Sequence, residues 1–158
     1  MTWRRAFLLS TLLALVLSVG ATAGERGDRG EAVFVGQDIS DRSAKVTLRV
    51  KSEGGRNKRA VFTIRNLPLF CEDSTTRQAD EVRQTVQFSG KNHKSFGGER
   101  YRMDDDGTET FMELSGRLES KSRARGSFLY KHDPVNPPGS SAPPDCSGLS
   151  LWRARDTD

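Results

Sequence analysis

Apolar side chains in this chain recur at every second residue, and that period decides what the chain can fold into. Val46, Leu48 and Val50 alternate with Lys45, Thr47 and Arg49, and Ala60, Phe62 and Ile64 resume the pattern after a Gly54-Gly55 turn. A period of two turns one face of an extended strand to a core and the other to water; a helix needs spacings of three and four. Met112, Leu114, Gly116 and Leu118 repeat it, followed by Ala124, Gly126, Phe128 and Tyr130. Shorter candidates run from Glu31 to Gly36, Val82 to Phe88, Phe96 to Met103 and Leu149 to Ala154. The polar stretch from Glu72 to Arg83 has room for a short helix but carries no apolar stripe. About eight antiparallel strands follow, an all-β domain built as a β-sandwich or a meander β-barrel.

Three local features mark where the strands break. The alternation slips by one residue between Ile64 and Leu67, which predicts a bulge or bend near Asn66. Asp106-Gly107 is a two-residue hairpin signal. Residues 133–144 hold five of the six prolines. Proline cannot donate to a ladder, so that stretch is a long loop before the last strand.

Residues 1–23 read as a signal peptide: Arg4 and Arg5, then a Leu-rich run, then Ala21-Thr22-Ala23, with cleavage between Ala23 and Gly24. Arg4-Arg5 also resembles a twin-arginine export motif, although Trp3 stands where a polar residue is preferred. Gly24 to Gly30 carries no apolar side chain and reads as a flexible leader to a single domain over residues 31–158. Of the 135 residues after the signal, 39 are apolar, about 29%, a thin supply for a core. That argues against a membrane span in the mature chain and against a large enzyme with a buried active site.

The formal net charge is +4 for the whole chain and +2 without Arg4 and Arg5. Acids and bases alternate along the sequence, as in Glu99-Arg100-Tyr101-Arg102-Met103-Asp104. A phosphate-binding field needs a stripe of one sign. None runs along the chain, so no nucleic-acid partner is expected. The two cysteines, Cys71 and Cys146, have no histidine or further cysteine at metal-ligand spacing. In an oxidising compartment they are expected to form one structural disulfide tying the last strand to the middle of the fold.

Phe34-Val35-Gly36-Gln37, the mid-chain Cys71 and Asp145-Cys146-Ser147-Gly148-Leu149-Ser150-Leu151-Trp152-Arg153-Ala154 resemble a family of small secreted bacterial all-β domains ending in Cys-x-Gly-x-x-x-Trp-x-Ala. Gly116-Arg117-Leu118 and Ala124-Arg125-Gly126-Ser127-Phe128 resemble its glycine-containing hairpin. The resemblance implies an exported all-β domain with a cysteine pair and no known activity. The proline-rich loop and Glu72-Asp73 depart from the pattern.

Few motifs carry chemistry. Asp104, Asp106 and Glu109 are candidate ligands for a hard cation. Arg102 stands where an EF-hand loop would want an acid, and a solvated hairpin turn is the preferred reading. Ser89-Gly90-Lys91 lacks the flanking glycine and hydroxyl of a phosphate loop. His93 and His132, each beside lysine, read as exposed residues without a cleft. Trp152 in the last strand reads as core, while Tyr101 and Tyr130 are divided between surface and core. No catalytic residue and no cofactor is expected. The chain reads as an exported non-catalytic β domain, binding or envelope-structural, with an envelope glycan, lipid or protein as partner. The alternatives are a barrel holding an apolar ligand against Phe62, Phe88 and Phe128, a glycan-binding module, and a secreted hydrolase.

Overall fold

The computed structural model describes residues 30–134 and 143–157. The expected signal peptide, its cleavage point, nearly all of the leader and residues 135–142 of the proline-rich loop lie outside them. Eight strands follow in chain order: β1 Glu31–Asp38, β2 Lys45–Glu53, β3 Arg56–Cys71, β4 Thr76–Ser89, β5 Ser95–Met103, β6 Glu109–Ser120, β7 Arg123–Asp133 and β8 Cys146–Asp156. All pairings are antiparallel; each strand pairs with its neighbours in sequence, and β8 returns to β1 to close the sheet on itself and also meets β3. The stretch from Glu72 to Arg83, which has room for a helix but no apolar stripe, forms none: residues 72–75 make a turn and β4 begins at Thr76.

The ring is not a regular barrel, for two reasons. First, one edge of β8 is shared. Trp152–Asp156 pair with β1, while Cys146 and Ser147 pair with Cys71 and Phe70 of β3. β3 can serve two neighbours because it is sixteen residues long. It lies against β2 up to Arg65, and then Asn66 takes a left-handed conformation at φ 57°. The inward set changes from Phe62 and Ile64 to Leu67, Leu69 and Cys71. β4 changes phase alongside it, so the β3–β4 register survives and the feature is a shared bend. Second, β4 and β5 pair only over Gln87–Ser89 and Ser95–Gly97 before they part. The Gln84 amide spans the opening by donating to the Gly98 carbonyl at 2.8 Å.

Inside the ring the inward residues form one buried cluster. Trp152, Phe34, Phe62, Phe128, Leu48, Ile64, Leu67 and Leu114 are each fully buried. Ring centroids lie 5.1 Å apart for Phe62–Phe128, 5.3 Å for Phe62–Trp152 and 5.0 Å for Phe88–Phe96. Trp152 fits because its neighbours across β7 and β6, Gly126 and Gly116, have no side chains. A Cβ on Gly126 would collide with the Ser115 carbonyl and stand 2.6 Å from the Trp152 ring. The glycines of the alternating strands are thus the hollow that the tryptophan fills.

Cys71 and Cys146 are directly opposed in the β3–β8 ladder and joined by a disulfide, with Cα atoms 4.0 Å apart. The bond closes a loop of 75 residues in sequence. In the loop-entropy account this is worth about 4–5 kcal/mol. Replacing both cysteines by serine is expected to lower unfolding free energy by about that amount in a urea titration. The intact mass of the native protein should rise by about two hydrogens on reduction. Gly126→Ala is expected to cost roughly 1–3 kcal/mol through overpacking. Gly98→Ala, whose Cβ would meet only a Val86 methyl at 3.5 Å, should leave the thermal midpoint nearly unchanged.

Candidate functional site

The outer face of β6, β7 and β8 carries an arrangement that only strand register creates. Outward positions on adjacent strands align into rows across the sheet, about 4.8 Å from strand to strand. Arg117 lies opposite Arg125, and Arg125 lies opposite Arg153. One row further along, Arg123 lies opposite Arg155. All five guanidinium side chains are exposed. Glu119 pairs with Arg125 at 2.8 Å. Directly opposed like charges disfavour a sheet. Here they are repeated along a row.

Beside this row runs a groove of about 580 Å³. Its floor is the preceding row, Gly97, Ser115 and Ser127, which carry small side chains or none. Arg117, Arg125 and Arg153 form one wall, and Leu151 and Ile39 close one end. A second cleft of about 400 Å³ continues past Arg153 to Arg155 and Arg42. The site therefore offers guanidinium forks, hydroxyl groups and an apolar end. Guanidinium binds carboxylate, sulfate or phosphate oxygens in pairs of parallel hydrogen bonds. It supplies no nucleophile–base pair.

The opening between β4 and β5 forms a separate cleft of about 270 Å³ lined by Arg83, Arg100, Arg102, Asp104, Tyr130 and His132, among others. His132, expected to be exposed, is half-buried in β7 and stacks on Tyr130, with centroids 6.5 Å apart. Burial pushes the Tyr130 phenol above its usual value, against a hydrogen bond with Thr110 that pulls it down; the charge of Asp104 raises it further. His93, likewise expected to be exposed, is half-buried in the β4–β5 turn at φ 47°. Its carbonyl accepts from the Asn57 amide at 3.0 Å. The two histidines stand near opposite ends of the ring, because β7 carries one to the disulfide end and the β4–β5 turn holds the other away from it. They do not converge on a common cleft.

Asp104, Asp106 and Glu109 do not come together as ligands. Asp104 holds Arg102 at 2.6 Å, Asp106 accepts from the Thr108 amide at 2.9 Å, and Glu109 bonds the Tyr101 hydroxyl. No group of three possible metal ligands occurs among the described residues. The face of Phe62, Phe88 and Phe128 is occupied by its own rings and by Trp152 and Phe96. The arginine row escaped sequence reasoning because positions 117, 125 and 153 carry no common spacing. The outward phase of three strands would have supplied the signal, once their register was known.

Comparison with family models, with curated proteins and with solved structures returned no match.

The turn carboxylate of Asp106 is held below its usual value, first by the Thr108 amide and then by the Thr108 hydroxyl. A depressed carboxyl contributes stability that is present above the unfolded value of about 3.9 and lost as pH falls through the folded value. Asp106→Asn keeps the acceptor without the titration. Its thermal midpoint should fall less steeply than that of the wild type below about pH 4, and equal slopes would show that the turn does not titrate with folding.

Proposed function

We propose that this protein is an exported, non-catalytic β domain that binds an anionic partner across the outer face of β6, β7 and β8. The observation that carries the reading is the Arg117–Arg125–Arg153 row, with Arg123 and Arg155 beside it. Aligned like charges lower stability, and an anion lying along the row would convert that repulsion into attraction. The filled interior supports an outer-face site, since the apolar rings take up the ring's own volume. The disulfide suits an oxidising extracytoplasmic compartment. No helix among the described residues is long and apolar enough to cross a membrane. The resemblance to small secreted bacterial β domains agrees with this placement and adds no activity.

Retention on an immobilised sulfated polymer tests the reading. The native protein should bind at low salt and elute as salt rises, because surface charge interactions are screened. Replacing Arg117, Arg125 and Arg153 together by glutamine should weaken retention by roughly tenfold or more, given the usual strength of charge-assisted hydrogen bonds. Replacing Arg49 and Arg65, which already pair with Glu31 and Glu81, should change it little. Equal retention of the two variants would remove the arginine row as the site.

A further inference from the structure

Resting on that anion-binding reading, the structure assigns the partner as the headgroup surface of an anionic lipid bilayer. The arginine band has an apolar neighbour that a soluble polyanion would leave unused. Along β8 the outward residues run Leu149, Leu151, Arg153, Arg155, apolar first and cationic after. Phe70 lies opposite Ser147, one outward step from Leu149, and the Ile39 amide donates to the Leu151 carbonyl at 2.7 Å. Val35 lies opposite Arg155. These five are the greater part of the exposed large hydrophobics among the described residues: Phe70 67%, Leu149 64%, Ile39 52%, Val35 49% and Leu151 48%. Exposed apolar groups gathered on one face mark an interaction site, whereas scattered ones do not.

The geometry of the face selects the occupant. Leu149 and Arg153 are four residues apart on one strand, about 13 Å at strand rise. With β8 lying along the surface, the leucine side chains can enter the boundary of headgroups and acyl chains, about 5–10 Å deep, while the guanidinium groups further along the strand hold phosphates. Ile39, Leu151 and Val35 stand on the outside of the closed sheet, along the same two clefts that the arginines line. A lipid surface offers headgroup phosphates and acyl chains side by side, as this mixed lining requires. A second copy docked through the same face would bring an arginine band against its own like. The turns at the disulfide end carry Glu72, Asp73, Asp104, Asp105 and Asp106, which oppose entry tip-first into an anionic surface. The protein therefore lies broadside, with β7, β8 and β1 toward the lipid. Neither signal suffices alone, and reversible attachment commonly takes an apolar and a basic element together.

Co-sedimentation with lipid vesicles tests this, using the disulfide-bonded protein. It should pellet with phosphatidylcholine vesicles containing phosphatidylglycerol, not with phosphatidylcholine alone, and salt should release it. The Leu149→Ser variant, whose side chain lies outside the arginine groove, should bind the mixed vesicles roughly tenfold more weakly, while its retention on the sulfated polymer stays at the native level. Phe70→Ser, on a different strand, should weaken vesicle binding in the same direction, which separates the effect from a local defect in β8. The Arg117/Arg125/Arg153 glutamine variant should lose both vesicle and polymer binding. Vesicle binding unaffected by the leucine and phenylalanine changes would overturn the inference. Polymer retention without vesicle binding would also overturn it and leave the anion-binding reading intact, pointing to a soluble polyanion. Loss of both in the native protein would overturn both readings.

Discussion

One edge of β8 is divided between two strands, and the remaining architecture depends on that division. Its first residues lie on the end of β3 and its last on β1, so a single strand closes the ring twice. The closure at β3 is only two residue pairs long. A ladder that short is weak by itself, and the Cys71–Cys146 bond lies within it. With fewer than a third of the residues after the expected signal apolar, the core offers limited driving force. A covalent tie that removes unfolded-chain freedom compensates at the place where hydrogen bonding is thinnest.

The same closure sets the inside and the outside of the site. Trp152 must turn inward for β8 to pack, and it does so over Gly116 and Gly126. Alternation then obliges Leu149, Leu151, Arg153 and Arg155 to turn outward. A well-seated tryptophan and an exposed cationic-apolar face are two consequences of one strand phase. The phase could be reversed only by bringing two arginines and two leucines into the core in place of Trp152, Ser150 and Ala154.

Much of the fold was legible because its signals are local. The strand faces of β2, β6 and β7, the bend at Asn66 and the core placement of Trp152 all follow from period-two patterning and its interruptions. The half-burial of His93 and His132 was not legible. It depends on the β4–β5 turn folding back and on β7 lying at the β4–β5 opening, neither of which leaves a trace in neighbouring residues. The parting of β4 and β5 was equally hidden, since both sequences still read as strands.

By itself the sequence determined the secondary structure, the disulfide partners and the inward face of each well-patterned strand. Those depend on side-chain period and on the scarcity of alternatives: two cysteines can pair in only one way. Only the tertiary structure decided which outward residues become neighbours. Arg117, Arg125 and Arg153 are separated by 8 and 28 positions in the chain, yet stand side by side because antiparallel register converts distance in sequence into adjacency in space. A charge pattern that reads as balanced along one dimension becomes a one-signed band in two.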